Sequence, residues 1–323
     1  MKKALITGVL GQDGKFLSKL LLSKGYTVIG THSLSSEIDK GKLHGLPVDV
    51  QLTAIDNQGT VDLKNLINKE KPDEVYNLSA LSSVSASFKN PTLTRRLNHV
   101  NPVQILEFLS IEKPEVKFYQ AGSSEMFGLP TQSPQNEATV FNPRSPYAEA
   151  KLSTFLSVVN HRDDKGIYAV NGIMYNHESE FRDELFVSRK ITKNIARILL
   201  KKQKNFTLGD LTITRDWGYA EDYVQAMWLM LQQEIADDYV VATGISRSLY
   251  DFVETALSVS GLDTEVSRWV VSDNTLFREN EITDLVGDPS KARQQLGWTP
   301  QTPFNDWVLR MIENDIALES NSD

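Results

Sequence analysis

Cysteine is absent from all 323 residues, which excludes disulfide staples, thiolate nucleophiles and cysteine-based metal sites. A cytoplasmic location is the expectation for such a chain. Long apolar runs are absent too: nothing approaches the ~20 residues that span a bilayer. Lys2-Lys3 before Ala4-Leu5-Ile6 imitates the start of a signal peptide. Gly11-Gln12-Asp13-Gly14 interrupts that stretch and no small-residue cleavage site follows, so a first strand is expected instead. Positive charge is scarce. The 34 Lys and Arg are outnumbered by 42 Asp and Glu, a net charge of -8, so neither nucleic acid nor an anionic membrane is the expected partner. Local cations can still hold phosphates. The five His are scattered without metal-ligand spacing, so no metal is expected and His177 reads as a structural residue. No repeat, low-complexity tract or Pro/Gly/Ser linker divides the chain.

What is present is alternation. Short β runs at Ala4–Thr7, Thr27–Gly30, Glu74–Leu78 and Lys117–Ala121 alternate with helical patterns near Lys15–Lys24, Val61–Lys69 and Val100–Ile111. A helix over Tyr147–His161 and a strand over Tyr168–Met174 extend the series. Such alternation implies βαβ units and a parallel sheet. The expected class is α/β, a Rossmann-like doubly wound sheet with a smaller, interleaved C-terminal substrate-binding lobe. Residues 1–175 would form the dinucleotide-binding domain, with strand 238–243 returning to its sheet, and 176–323 mainly the substrate lobe. In that second part helices are expected over Phe186–Lys201, Ala220–Glu234, Leu249–Val259 and from Pro303, and a hairpin or short strands over Phe206–Thr214.

Gly8-Val9-Leu10-Gly11-Gln12-Asp13-Gly14 lies between an apolar strand and an apolar helix. Glycines there permit a tight turn and close approach of a pyrophosphate, which the N–H groups of the following helix receive. The G-x-x-G-x-x-G spacing points to the extended short-chain dehydrogenase pattern. Gly8, Gly11, Gln12, Asp13 and Gly14 are therefore cofactor candidates. Asp56, after the apolar run Val50–Ile55, is a candidate acceptor for an adenine amine. Tyr147 and Lys151 stand four residues apart on one helical face. An ammonium beside a phenol favours the phenolate, which makes Tyr147 a candidate general base toward a sugar hydroxyl. Glu125 follows Ser123 by two residues at the end of a strand, where open α/β sheets bind their ligands.

Several longer runs resemble one family. They are Phe118-Tyr119-Gln120-Ala121-Gly122-Ser123-Ser124-Glu125, Pro143-Arg144-Ser145-Pro146-Tyr147-Ala148 with Lys151, Asn176-His177-Glu178-Ser179, Arg215-Asp216-Trp217-Gly218 and Gly287-Asp288-Pro289. Together they look like the GDP-mannose 4,6-dehydratases, over nearly the whole chain. The resemblance implies a tightly held nicotinamide cofactor, a GDP-sugar substrate and a redox-neutral reaction. Tyr147 and Lys151 would act at the C4 hydroxyl, beside the cofactor. Ser123 would steady the C4 oxygen, and Glu125 would take the C5 proton. Ser82, Asn176, Lys190, Leu208, Gly209, Arg215, Arg278 and Glu281 match positions that hold the nucleotide sugar. A homodimer or homotetramer is implied as well.

Departures accompany the likeness. Ser33 and Leu34 stand where adjacent Arg residues usually bind the cofactor 2′-phosphate and a neighbouring subunit. NADP is the family's cofactor, and NAD stays open here. Glu180-Phe181-Arg182-Asp183 replaces Pro-Arg-Arg-Gly, which places acidic residues beside the expected substrate. Asp210 replaces an Asn, Asn101-Pro102 replaces Gly-Thr, and the loop between Trp269 and Phe277 is short. Two other readings stay open. An epimerase or 4-reductase on the same fold would not need Glu125, and a cofactor-sensing scaffold would not need Tyr147 and Lys151.

Overall fold

A computed structural model describes residues 1–35, 38, 40–273, 275, 282 and 284–321. Its strands, in chain order, are β1 (Lys3–Thr7), β2 (Thr27–Ser33), β3 (Gln51–Ile55), β4 (Glu74–Asn77), β5 (Lys117–Ala121), β6 (Ala169–Met174), β7 (Asn176–Glu178), β8 (Phe206–Leu208), β9 (Thr214–Tyr219), β10 (Asp238–Val241), β11 (Ser246–Ser248), β12 (Val270–Ser272) and β13 (Asp284–Leu285).

Seven of these form one all-parallel sheet in the order β10-β6-β5-β4-β1-β2-β3. Its central strands are buried on both faces. All six residues of β6 and all four of β4 are buried, as a sheet covered by helices on each side requires. Helices Gln12–Ser23 and Ala220–Gln232 cover one face through Leu17, Leu21, Met227 and Met230. Helices Val61–Glu70, Asn101–Glu112 and Pro146–Lys165 cover the other through Leu66, Ile105 and Val158. The chain order reverses between β1 and β4, and at such a switch point the carboxyl ends of the strands open a crevice.

A smaller sheet, β11-β9-β13 with β7 beside β9, stands next to the large one. The run Phe206–Thr214 is not a hairpin. Phe206–Leu208 pairs in parallel with Val270–Ser272, while Thr214 opens β9 and pairs with Ser248 and Asp284. The Gly209-Asp210 pair reads locally as a hairpin turn, but each strand finds its partner far along the chain. Two short helices, Val84–Lys89 and Pro91–Arg95, are legible only in their caps: Ser83 Oγ accepts from Ala86 N, and Pro91 opens the second.

Candidate active site

At the first crossover the glycines answer to backbone geometry. Gly8 has φ +70°, and a Cβ there would come within 2.9 Å of Ser79 Cα. On Gly14 a Cβ would lie 2.5 Å from the Val9 backbone, because the helix is pressed onto the strand. Gly11 has room: a Cβ would meet only Gly8 O, at 3.4 Å. Gly11 is also the N-cap of helix Gln12–Ser23 and provides no side-chain cap, so the first-turn N–H groups are left for an anion. Beside this turn a pocket opens between the ends of β1, β3 and β4, lined by Thr7, Asn57, Asn77, Ser79, Asn101 and Ile105. These shapes fit a dinucleotide. Thr7 Oγ1 fastens the β1–β4 lip, donating to Asn77 Oδ1 at 2.8 Å and accepting from Leu78 N and Ser79 N at 3.1 Å.

The side chains of Gln12 and Asp13 are engaged by the protein itself. Gln12 Nε2 donates to His177 O at 2.7 Å, and Ser179 Oγ donates to Gln12 Oε1 at 2.9 Å. Asp13 receives His177 Nε2 at 3.0 and 3.1 Å. Only the backbone N–H groups of these two residues remain for a phosphate. His177 Nδ1 lies 2.7 Å from Tyr175 O, so both ring nitrogens face acceptors and both must donate. The ring is therefore an imidazolium, stacked on Tyr223 at 4.8 Å. Burial pushes the imidazole pKa down, but Asp13 more than reverses this and raises it above its ordinary value. Burial likewise pushes Asp13 up, and His177 brings it below the usual carboxylate value. The sequence marked His177 as structural; it did not show that this residue bolts the glycine turn to β7.

Asp56 is exposed at the end of β3, and its neighbours Ile55 and Asn57 line the pocket. Its Oδ1 accepts from Gln58 N at 2.8 Å and so shapes its own loop.

Ser123, Glu125, Tyr147 and Lys151 converge at the carboxyl end of β5. Ser123 is buried and caps the 3₁₀ turn Ser124–Phe127, accepting from Glu125 N at 3.3 Å. Glu125 is half-buried in that turn, and its charge is felt at Tyr147. Ser145 caps helix Pro146–Lys165 by accepting from Ala148 N at 3.1 Å, which sets Tyr147 in the first turn. Tyr147 and Ser123 share a hydrogen bond. Lys151 is buried, donates to Ala121 O at 2.8 Å, and lies 5.8 Å from the Tyr147 ring centroid.

The expected depression of the tyrosine pKa does not occur in the protein alone. Burial pushes the Tyr147 phenol up to about 12, with the Ser123 hydrogen bond pulling the other way. Burial also brings Lys151 down to about 8, opposed by Asp13. Helical spacing put the ammonium near the phenol, but a backbone carbonyl captured it, and burial governs the phenol.

The remaining candidates are spread along the smaller sheet and the loops that face it. Ser82 is exposed in the loop after β4. Asn176, half-buried, opens β7 opposite Trp217. Lys190 is exposed in the first turn of helix Val187–Leu199. Leu208 is buried at the end of β8, where its carbonyl accepts from Asp273 N, and Gly209 O accepts from Ser272 Oγ. Arg215 is buried on β9 and donates to Ile282 O at 2.6 Å and Thr214 O at 2.8 Å. Arg278 and Glu281 lie outside the described residues.

The segment 180–183 also departs from expectation. Glu180 accepts from Tyr219 OH at 3.1 Å, and the Phe181 ring packs on Phe16 at 5.3 Å. Arg182 stacks on Phe186 at 3.6 Å, with Nε 3.1 Å from Glu178 Oε2. Sequence reading missed Arg189, a buried residue that donates to the carbonyls of Glu180 and Arg182, both at 2.8 Å, and pairs with Asp315.

The doubly wound sheet and its glycine turn define a nicotinamide-dinucleotide enzyme of the extended short-chain dehydrogenase/reductase class. Solved structures share this architecture. A UDP-glucose 4-epimerase from Thermotoga maritima superposes with a TM-score of 0.86 at 21% identity, over 99% of this chain and 100% of that one. A dTDP-glucose 4,6-dehydratase from Bacillus anthracis, solved with NAD, superposes with 0.84 at 17% identity, over 99% and 98%. At such identities the likeness is one of fold. Sequence goes further: a family model described as GDP-mannose 4,6 dehydratase matches residues 5–311. GDP-mannose 4,6 dehydratase 1 of Arabidopsis thaliana is 43% identical over 98% of this chain and 90% of its own length. The GDP-mannose 4,6-dehydratase of Vibrio cholerae is 39% identical over 98% and 94%. The chain belongs to the GDP-mannose 4,6-dehydratase family.

Proposed function

We propose that this enzyme converts GDP-mannose, or a GDP-hexose close to it, into the 4-keto-6-deoxy derivative. The observation that carries the reading is the meeting of Ser123, Tyr147 and Lys151 with a half-buried carboxylate, Glu125, at the end of β5. Residues 1–175 hold the cofactor and 176–323 mainly the nucleotide sugar. Held at the glycine turn, the nicotinamide, NADP in this reading, would supply a hydride acceptor for C4 and a hydride donor for C6. Ser123 hydrogen-bonds the C4 oxygen and steadies its developing charge. Tyr147 takes the C4 hydroxyl proton, and Lys151, fixed on Ala121 O, is placed to favour the phenolate once substrate and cofactor fill the cleft. A ketone at C4 acidifies C5–H. Glu125 removes that proton and passes it to the C6 hydroxyl, which leaves as water; C5 takes a proton from solvent as C6 receives the hydride, so the sugar loses one water with no net redox change.

Arg215 meets the nucleotide from β9, with Asn176, Lys190, Ser82 and the Leu208-Gly209 turn around it. Arg278 and Glu281 belong to this set by the family likeness. An epimerase or 4-reductase would leave Glu125 without a task, and family membership favours the dehydratase. We place the enzyme in the cytoplasm as a homodimer or homotetramer.

The test is incubation with GDP-mannose without added reductant, followed by alkali, which develops the near-ultraviolet absorbance of a 4-keto sugar. No such product from GDP-mannose or related GDP-hexoses overturns the reading.

A further inference from the structure

Among the described residues, one cation near the glycine turn has no partner. Lys15 follows Gly14 in the first turn of helix Gln12–Ser23 and is 6% exposed. Among the described residues its ammonium meets no hydrogen-bond acceptor or carboxylate; it lies 4.7 Å over the Phe181 ring. Burial alone acts on it, and lowers its pKa. A desolvated ammonium without a counter-ion is costly, and most buried lysines are paired. Here the stem is held while the charge waits.

The surroundings indicate which anion it serves. Phe181 forms one wall, and against it packs the segment between helix Lys40–Leu43 and β3. His44 lies 5.9 Å from that ring, and a Cβ on Gly45 would come within 2.3 Å of it. In dinucleotide folds the residues after the second strand read the ribose 2′ position. At that tip Ser33 and Leu34 carry no charge, and Ser33 Oγ and Ser35 Oγ hydrogen-bond each other at 2.8 Å. Val9 N donates to Thr31 O at 3.1 Å, tying the glycine turn to the same strand end. Among the described residues, an unpaired buried ammonium therefore stands beside the phosphate-binding turn, whose Val9 is tied to the end of the ribose-reading strand.

We propose that Lys15 is the cation that receives the 2′-phosphate of the dinucleotide, from the helix side, with the hydroxyls of Ser33 and Ser35 opposite. This rests on the nicotinamide cofactor of the proposed function. Phosphate geometry differs accordingly. A lysine offers a point charge, where the family's arginines offer a planar fork.

Dissociation constants for NADPH and NADH, measured by nucleotide fluorescence without sugar, test it. Wild type should bind NADPH the more tightly. Lys15→Met, which keeps the buried stem, should weaken NADPH about tenfold or more and leave NADH unchanged. Lys15→Arg should restore most of the preference. Inorganic phosphate should compete with NADPH but not with NADH in wild type. Equal ratios in wild type and Lys15→Met overturn the proposal, as does tighter NADH binding by wild type or equal competition by phosphate against both. If Lys15→Met does not fold, Lys15→Gln is read in its place. The proposed reaction fails separately: loss of 4-keto product leaves the binding ratio intact, and loss of the ratio leaves turnover with oxidised NAD.

Discussion

Glu125 is the residue whose removal separates a dehydratase from its relatives of the same fold. Glu125→Gln keeps the size and polarity of the side chain and removes the base. It should bind cofactor normally, lose about 10²–10⁴ in turnover, and stop incorporating solvent deuterium at C5. Normal turnover by that variant would remove Glu125 from the mechanism. Tyr147→Phe should abolish C4 oxidation in a single turnover, read as absent reduced-nicotinamide absorbance; persistent oxidation would assign the base elsewhere. The Asp13–His177 pair gives a pH prediction. The folded pKa of His177 is raised, so its contribution to stability is full below the ordinary imidazole value and fades as pH rises through the raised one. Asp13 is lowered, so its share is present above the ordinary carboxylate value and lost as acid protonates it. Lys151 works the other way, because a buried amine with a pKa of about 8 is relieved when it deprotonates. Urea midpoints of wild type minus Asp13→Asn across the neutral and alkaline range isolate the pair. A difference that does not shrink with rising pH would show that His177 carries no charge.

Elements are held by a few contacts of high leverage. Helix Gln12–Ser23 lies against β1 because Gly14 has no side chain. Gly14→Ala would place its Cβ 2.5 Å from the Val9 backbone and should lower both thermal stability and nucleotide affinity. Unchanged melting and binding would mean that the helix has slack. Helices Val187–Leu199 and Phe304–Ser320 are joined through Arg189 and Asp315, both nearly fully buried. Thr192 Oγ1 also donates to Asp315, at 2.7 Å. Asp315→Ala strands a buried guanidinium and should cost about 3–5 kcal/mol in chemical denaturation. A loss under about 1 kcal/mol would show that water reaches the arginine. Local patterning made the long helices and the buried strands legible, because apolar period and caps are written within each segment. Strands of two or three residues such as β7, β11 and β13 carry too little pattern, and their pairing is decided by distant partners.

At the scale of the molecule, the two sheets are joined through the site. Gln12 and Asp13 belong to the glycine turn, and His177 and Ser179 to the chain that enters the smaller sheet, so the four link the large sheet to the smaller one. The opposite flank carries the proposed oligomer contact. Helices Val84–Lys89, Asn101–Glu112 and Pro146–Lys165 leave Phe88, Ile111 and Leu156 at least half exposed. Leu156→Asp should shift the assembly toward monomer in light scattering without unfolding it; an unchanged mass would place the contact elsewhere.

By itself the sequence determined the strand–helix alternation, the glycine turn, the grouping of Ser123, Glu125, Tyr147 and Lys151, and the family likeness, because each depends on residue type at short spacing. Tertiary structure alone decided where the charges point. Lys151 is turned to a carbonyl, the Gln12 and Asp13 side chains are taken up by β7 and the chain beyond it, and Lys15 is buried without a counter-ion. Burial and hydrogen-bond direction depend on neighbours brought from 30 to 167 residues away, and no local pattern encodes them.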